Sequence, residues 1–426
     1  MDPTFLENPV SGVMLSSVVP GELTDQGKDH ELANMDLALK LHYIRGLYFF
    51  KSEAVEGLTI SDLKMPMFPW LALYFTTAGR IRRSEAGRHF IKCNDCGVRI
   101  VEAQCEKTID EWFTRDDRHL LDNHLVYDGV LGPDLGIAPL VYIQFTWFKC
   151  GGMSVGVSWA HVLGDPFSVT NFINMWGQIL QGRRPPKNNL STPPRKPFSL
   201  KQVDPVGDLW QVTDNSELET HSFNITPKHL QSILSSVYGS ARRPANMSLF
   251  NLITAIIWKY LSKAREDSGP SIVTVCTRTN NKSTTKTEVP GNNMRFNVVQ
   301  ADFSVAKVDV SELAELIAEK QEEENSLISE TVEAHQGNLD CILYGENLTF
   351  VNLEEAGVYD LELKEQKPVF ANYTIRGVGD EGIVLVLPGR SDYVTEKDVG
   401  RTVTAIFPGD QLTELRKVLR QDLNVI

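Results

Sequence analysis

Two histidines in the chain stand four residues ahead of an aspartate, at His161-x-x-x-Asp165 and His124-x-x-x-Asp128. An imidazole titrates near neutral pH and can take a proton from a hydroxyl or an amine, so either histidine could act as a general base. The spacing does not choose between them, but the flanking sequence does. His124 lies in DNHLVYDG, a polar stretch with no strand-turn-helix pattern around it, and reads as a surface residue. His161 closes the stretch CGGMSVGVSWAH. There Met153, Val155, Val157 and Trp159 alternate with Ser154, Gly156 and Ser158, the period of a β-strand. Small residues along one face predict that another backbone, or a ligand, approaches closely. Asp165 stands after a turn and just before Pro166, as a helix N-cap stands before a proline at the first helical position. Phe167, Phe172, Met175, Trp176 and Ile179 then recur at helical spacing and predict a helix packed on a core. His161 is therefore the candidate base, at a strand end where α/β proteins place reactive groups. Asp165 reads as architectural.

The elements that must hold this pair are legible on both sides. Residues 33–50 begin with helical spacing and become strand-like, and RHFIKCN, VRIVEA and LVYIQFTWF read as strands. Residues 182–202 break the pattern with five prolines and the cations Arg183, Arg184, Lys187, Arg195 and Lys196. This stretch reads as a semi-extended linker. Its cations have the chemistry to meet phosphates, but nothing in the sequence positions them, and a solvated linker is the preferred reading. Beyond it, MSLFNLITAIIWKYLSKAR predicts a helix capped by Ser248, SIVTVCTR a strand, and residues 309–334 one acidic helix. LTFVNL, FANYTI and GIVLVLP predict strands, followed by a helix near DQLTELRKVL. Strands and helices intersperse in both halves, so two α/β domains are expected: residues 1–181 and 216–426, joined by a crossover over 182–215.

Composition narrows the function. The 426 residues are 42% hydrophobic and 23% charged, with a net charge of −13, which argues against nucleic acid and against anionic lipid as partners. No apolar run approaches the roughly 18–20 residues of a membrane span. The start, MDPTFLENPVSG, carries neither a basic segment nor an apolar signal core, so a cytosolic chain is expected. Six cysteines in such a chain read as reduced thiols. Cys93-Asn-Asp-Cys96 has metal-ligand spacing, but no second pair completes a four-ligand site, and no metal is expected.

Taken together, NMDLALKLHY, CNDCGVRIVEA, LVYDGVLGPDL, FKCGGMSVGVSWAHVLGDPFS and SLFNLITAIIWK resemble the BAHD acyl-CoA-dependent acyltransferases over essentially the whole chain. MLSSVVP, CNDCG and KPVFANYTIRGVGDEG resemble the ECERIFERUM, cuticular-wax branch. The resemblance implies two chloramphenicol-acetyltransferase-like domains with a central channel between them and His161 at its centre. It implies that His161 deprotonates an acceptor that attacks the thioester of acyl-CoA. It also implies that Asp165 points away and pairs with an arginine of the second domain, here matched by Arg278. The branch implies support of very-long-chain fatty acyl elongation beside a 3-ketoacyl-CoA synthase type condensing enzyme of the endoplasmic reticulum. One departure stands out. The family's Asp-Phe-Gly-Trp-Gly signature before Lys-Pro reads YDLELKEQKP here, keeping Asp360 and Lys367-Pro368 without the glycines. Glycines allow a tight backbone path that bulky charged residues are not expected to follow. The family's Tyr-Phe-Gly-Asn segment reads PGNNMR.

Two functions stay open on the sequence. In one, the chain assists an elongase condensing enzyme without completing its own transfer. In the other, it moves an acyl group from CoA to an alcohol, amine or thiol, with acyl-CoA as substrate and no resident cofactor. Spacing does not identify the oxyanion donors the second needs; Asn292 and Thr374 are no more than guesses. Alone, the chain is expected to be a monomer, in the cytosol or held by its partner at the cytosolic face of the endoplasmic reticulum.

Overall fold

The computed structural model describes residues 8–25, 27–114, 122–127, 129, 131–132, 134–183, 201–207, 210, 218–239, 247–265, 269–278, 290–320, 322–389 and 400–423. Two large sheets organise them. The first runs, in spatial order, Val10–Val18, Val98–Cys105, Val141–Phe148, Met153–Ala160, Tyr43–Phe50 and Phe370–Arg376. The second runs Leu218–Ile225, Arg401–Pro408, Ile383–Pro388, Leu348–Asn352, Ile272–Arg278, Met294–Gln300 and Glu322–Glu323. Both are mixed. Val98–Cys105 and Val141–Phe148 are parallel in the first, and Leu348–Asn352 lies parallel to both its neighbours in the second. The architecture is α/β, with two sheet-rich bodies.

The chain does not keep to one side of the expected crossover. Phe370–Arg376, far into the second half, leaves its body and pairs antiparallel with Tyr43–Phe50 in the first sheet, Tyr373 opposite Gly46. A strand's own sequence carries no mark of which sheet it joins, so position in the chain alone places it with the second half. Of the crossover itself, residues 184–200 lie outside the described residues.

Met153–Ala160 is buried at every position, with Tyr43–Phe50 on one side and Val141–Phe148 on the other. Its small face does meet a backbone: a Cβ at Gly156 would run into the Leu125 carbonyl. Pro166–Leu180 forms the predicted helix, and its apolar stripe is aromatic. Phe172 stacks on Trp70 at 3.9 Å between ring centroids, and Trp176 donates its indole N–H to the Leu63 carbonyl at 3.0 Å. Burying such rings stabilises by about 1.5–3 kcal/mol each, and pairing each indole N–H avoids the cost of an orphan donor.

One predicted element differs. Residues 309–334 form two helices, Val310–Glu319 and Asn325–Ala334. The edge of the second sheet captures the residues between them. Glu322–Glu323 pair with Asn297–Val298, the Glu324 N–H donates to Phe296 O at 2.8 Å, and the Asn325 side chain bonds the backbone of Phe296 and Met294. The break also switches cores: Leu313, Leu316 and Ile317 pack in the core of the second body, whereas Ile328 and Val332 pack in the core that holds His161's strand.

Candidate active site

His161 leaves the end of Met153–Ala160 and starts a single turn of 3-10 helix, His161–Leu163. Two contacts fix that turn. The indole N–H of Trp159 donates to Gly164 O at 2.9 Å, and the His161 N–H donates to His42 O at 3.2 Å. Gly164 has φ +147°, and a Cβ there would stand 2.6 Å from the Gly291 nitrogen, so only glycine lets the second body come this close.

Asp165 caps the following helix: its Oδ1 accepts from Ser168 N at 3.0 Å. Its Oδ2 accepts from Asn293 N at 3.0 Å, and its own N–H donates to Gly291 O at 3.2 Å. One carboxylate thus holds a helix of the first body to the loop of the second that carries PGNN. Burial raises its pKa, while the N–H groups of Ser168 and Asn293 and the charge of Arg278 pull it down. Arg278 acts on Asp165 by charge, and its guanidinium lies 4.9 Å from the Phe167 ring centroid. Its implied pairing with Asp165 is electrostatic in this arrangement, and the π-face of Phe167 shares the cation.

The His161 ring is fully buried. Its Nε2 lies 3.1 Å from the Tyr344 hydroxyl, and its Nδ1 has no partner within hydrogen-bonding distance. The Asn292 amide N–H2 donates to Asp36 Oδ1 at 2.8 Å and to His161 O at 2.9 Å. The His161 carbonyl and the Asn292 side chain both favour the protonated imidazole. In the tautomer that carries the proton on Nδ1, Nε2 accepts the Tyr344 O–H. Burial outweighs both and lowers the His161 pKa to about 4. The ring is therefore neutral at pH 7, with its basic lone pair already engaged. The channel implied by the resemblance is closed at this point, because the Tyr344 phenol stands against the imidazole.

Besides Tyr344, four residues of this cluster escape sequence reading. His42 is enclosed beside Tyr344, its ring centroid 4.9 Å away, and accepts from Leu343 N at 3.2 Å. Burial first, then His161, lower its pKa to about 3. Asp36 is buried, and burial raises its carboxyl to about 6. Lys40 makes a buried ion pair with Asp340, Nζ to Oδ1 at 2.5 Å. Asp36 lies in the short helix Asn34–Ala38 and Lys40 and His42 in the turn after it, within NMDLALKLHY, where these polar residues interrupt a run of buried Leu37, Leu39 and Leu41. That is the one signal that could have exposed them.

The other candidates lie elsewhere. Asp360 is exposed, 3.6 Å from Lys367, and its segment packs on the far end of the Pro166–Leu180 helix. Twelve residues of helix separate Gly177 from Asp165, about 18 Å at 1.5 Å per residue. Its sequence does form a tight turn: Lys364 and Glu365 adopt φ +47° and +63°, and Leu363 bridges Gln366. The expectation that charged residues cannot follow a glycine path is thus corrected. The turn is exposed and anchored by buried Leu361 and Leu363, which hold the backbone in this strained region. His124 is exposed, and Asp128 lies outside the described residues. Arg183 reaches Glu362 at 3.5 Å, whereas Arg184, Lys187, Arg195 and Lys196 lie outside the described residues. All six cysteines are free, and the described residues contain no cluster that could hold a metal. Among the described residues no helix is long and apolar enough to cross a membrane.

Against known proteins, the family model described as Transferase family matches residues 12–418. Protein ECERIFERUM 2 of Arabidopsis thaliana is 39% identical over 96% of this chain and 98% of its own. The chain belongs to this family, the BAHD acyltransferases. Protein ECERIFERUM 26-like of Arabidopsis thaliana is 38% identical over 96% of this chain and 94% of its own. Among solved structures, vinorine synthase superposes with a TM-score of 0.72 over 95% of this chain and 96% of its own, at 18% identity. That likeness speaks for the two-body fold alone.

Proposed function

We propose that this BAHD-scaffold protein supports the elongation of very-long-chain fatty acyl groups for cuticular wax, assisting a 3-ketoacyl-CoA synthase type condensing enzyme. The observation that carries the reading is the end-to-end similarity to the ECERIFERUM proteins, at 38–39% identity. Two features of the site support an assisting role over transfer. The candidate base is buried and depressed to about 4, well below the pKa near the working pH that serves a general base best. The second signature of the family is replaced by YDLELKEQKP. In this reading acyl-CoA is a ligand or substrate that the chain presents. The partner supplies the location, at the cytosolic face of the endoplasmic reticulum.

A second reading is favoured by one distance. A hydroxyl oxygen stands 3.1 Å from His161 Nε2, the separation at which a general base takes a proton. An active acyl-CoA-dependent O- or N-acyltransferase would use that nitrogen to deprotonate an acceptor. The acceptor would attack the thioester carbonyl, and the imidazolium would return its proton to the departing CoA thiolate.

The test reconstitutes the elongase in a heterologous host with and without this protein, then with His161→Ala. Longer acyl products with both wild type and variant support assistance. Loss of the longer products in the variant, together with acyl transfer by the purified wild type, supports the enzyme. Unchanged products in every arm reject the wax reading.

A further inference from the structure

Tyr344 arrives at His161 from the second half of the chain, 183 residues away, and is held there from several sides. Its backbone carbonyl accepts from Gly379 N at 2.8 Å, and the residue before it donates to His42 at 3.2 Å. Its ring packs against His42 and Phe296, with centroids 4.9 and 5.5 Å away, and tilts across His161 at 5.5 Å. Neither the phenol nor the imidazole is exposed to solvent. A neutral imidazole offers one lone pair, and in the tautomer that accepts the Tyr344 O–H that pair lies on Nε2. Any alcohol or amine that gives its proton to His161 must put its heteroatom within about 2.6–3.2 Å of that nitrogen. The Tyr344 oxygen is already there, at 3.1 Å.

We propose that the Tyr344 hydroxyl is the resident occupant of the acceptor position at His161, and that this residue decides whether an exogenous hydroxyl or amine reaches the base. The phenol is a surrogate acceptor that cannot leave by diffusion, because the chain on both sides of it is bonded to the protein. It is also a poor substrate for transfer: burial raises its pKa well above the ordinary phenol value. The inference concerns only access to His161 and stands apart from the elongase reading, whose assay scores product length.

Diethyl pyrocarbonate, a small electrophile that acylates free imidazole nitrogens, is the probe. Peptide mass spectrometry follows carbethoxylation of His161 against that of exposed His124 in the full-length protein. Wild-type His161 is expected to react at least tenfold more slowly than His124. In Tyr344→Ala, with the fold checked by circular dichroism, the His161 rate is expected to rise at least tenfold. A wild-type His161 as reactive as His124, or an unchanged rate in folded Tyr344→Ala, overturns the proposal. Tyr344→Phe keeps the ring and removes only the hydroxyl, so it decides the matter if the alanine variant does not fold. The Nε2 resonance of ¹⁵N-labelled His161 is expected to shift in the Phe variant, and an unmoved resonance overturns the proposal as well.

Discussion

The Lys40–Asp340 ion pair offers the sharpest test of how the site is held. Lys40 is 3% exposed and Asp340 8%, with 2.5 Å between their charged atoms. Asp340 also accepts from Val206 N at 2.9 Å through Oδ2 and from Val203 N at 3.1 Å through its carbonyl. The next two residues pair with Lys201–Gln202. Lys40 Nζ sits 5.6 Å from the ring centroid of the buried Trp210. Lys40→Met removes the cation and leaves an enclosed carboxylate faced, among the described residues, by the Val206 N–H. Stranding one partner of a buried pair costs about 3–5 kcal/mol. Adding Asp340→Leu removes the stranded charge. Such paired replacement is commonly neutral or stabilising, set against about 1 kcal/mol for the Val206 N–H that loses its acceptor. The double variant is therefore expected within about 1–2 kcal/mol of wild type, and because each single variant strands a charge at about 3–5 kcal/mol, the coupling in the cycle is expected to be at least about 4 kcal/mol. Urea denaturation read by tryptophan fluorescence measures it, with Trp210 reporting at the pair itself. A Lys40→Met cost below about 1 kcal/mol, or a double variant as weak as the sum of the singles, would falsify the claim that burial governs this pair.

Three further outcomes follow from the same geometry. Asp165→Asn supplies one acceptor oxygen where two N–H donors converge. It should lower stability by about 1–3 kcal/mol, seen as a lower melting temperature; wild-type melting would remove Asp165 as the brace between the bodies. On acidification the folded chain resists protonating His161 and His42, whose pKa values fall from 6.5 to about 4 and about 3. The unfolded chain does not resist, so stability drops as pH falls below 6.5, by up to about 1.4 kcal/mol per pH unit for each histidine. Asp36, raised from 3.8 to about 6, works in the opposite sense between those values. Two histidines outweigh one aspartate, so a melting temperature at pH 5 equal to or above that at pH 7 contradicts the assignment. Finally, Glu365→Gly relieves a left-handed backbone worth about 1–2 kcal/mol and loses about 0.5–1 kcal/mol to unfolded-state freedom. Urea midpoints should show a net gain of about 0.5–1 kcal/mol, and a loss would show that the Glu365 side chain is needed there.

What the sequence reveals and what it hides divide along one line. Asp165 and Ser248 cap helices through bonds three residues away, and Ser248 Oγ does accept from Asn251 N at 3.0 Å. Such features are short-range and leave a local signature. The small face of Met153–Ala160 likewise announced the Leu125 backbone beside it, because a missing side chain is visible in the sequence. Tyr344, Lys40 with Asp340, and the strand Phe370–Arg376 act across gaps of 183 to more than 300 residues. Nothing in their neighbourhoods encodes the partner. The position of His161 at a strand end was readable from alternation and a turn. Its enclosure was not, since a phenol from the other half of the chain creates it.

The strand Phe370–Arg376 also sets a timetable for biosynthesis. Until residue 376 leaves the ribosome, the hydrogen-bonding edge of Tyr43–Phe50 has no neighbour on that side and offers an open template to other nascent chains. A fragment ending at residue 181 would carry the same open margin permanently. Splitting the gene between its two halves should therefore yield insoluble pieces that recover only when both are translated together.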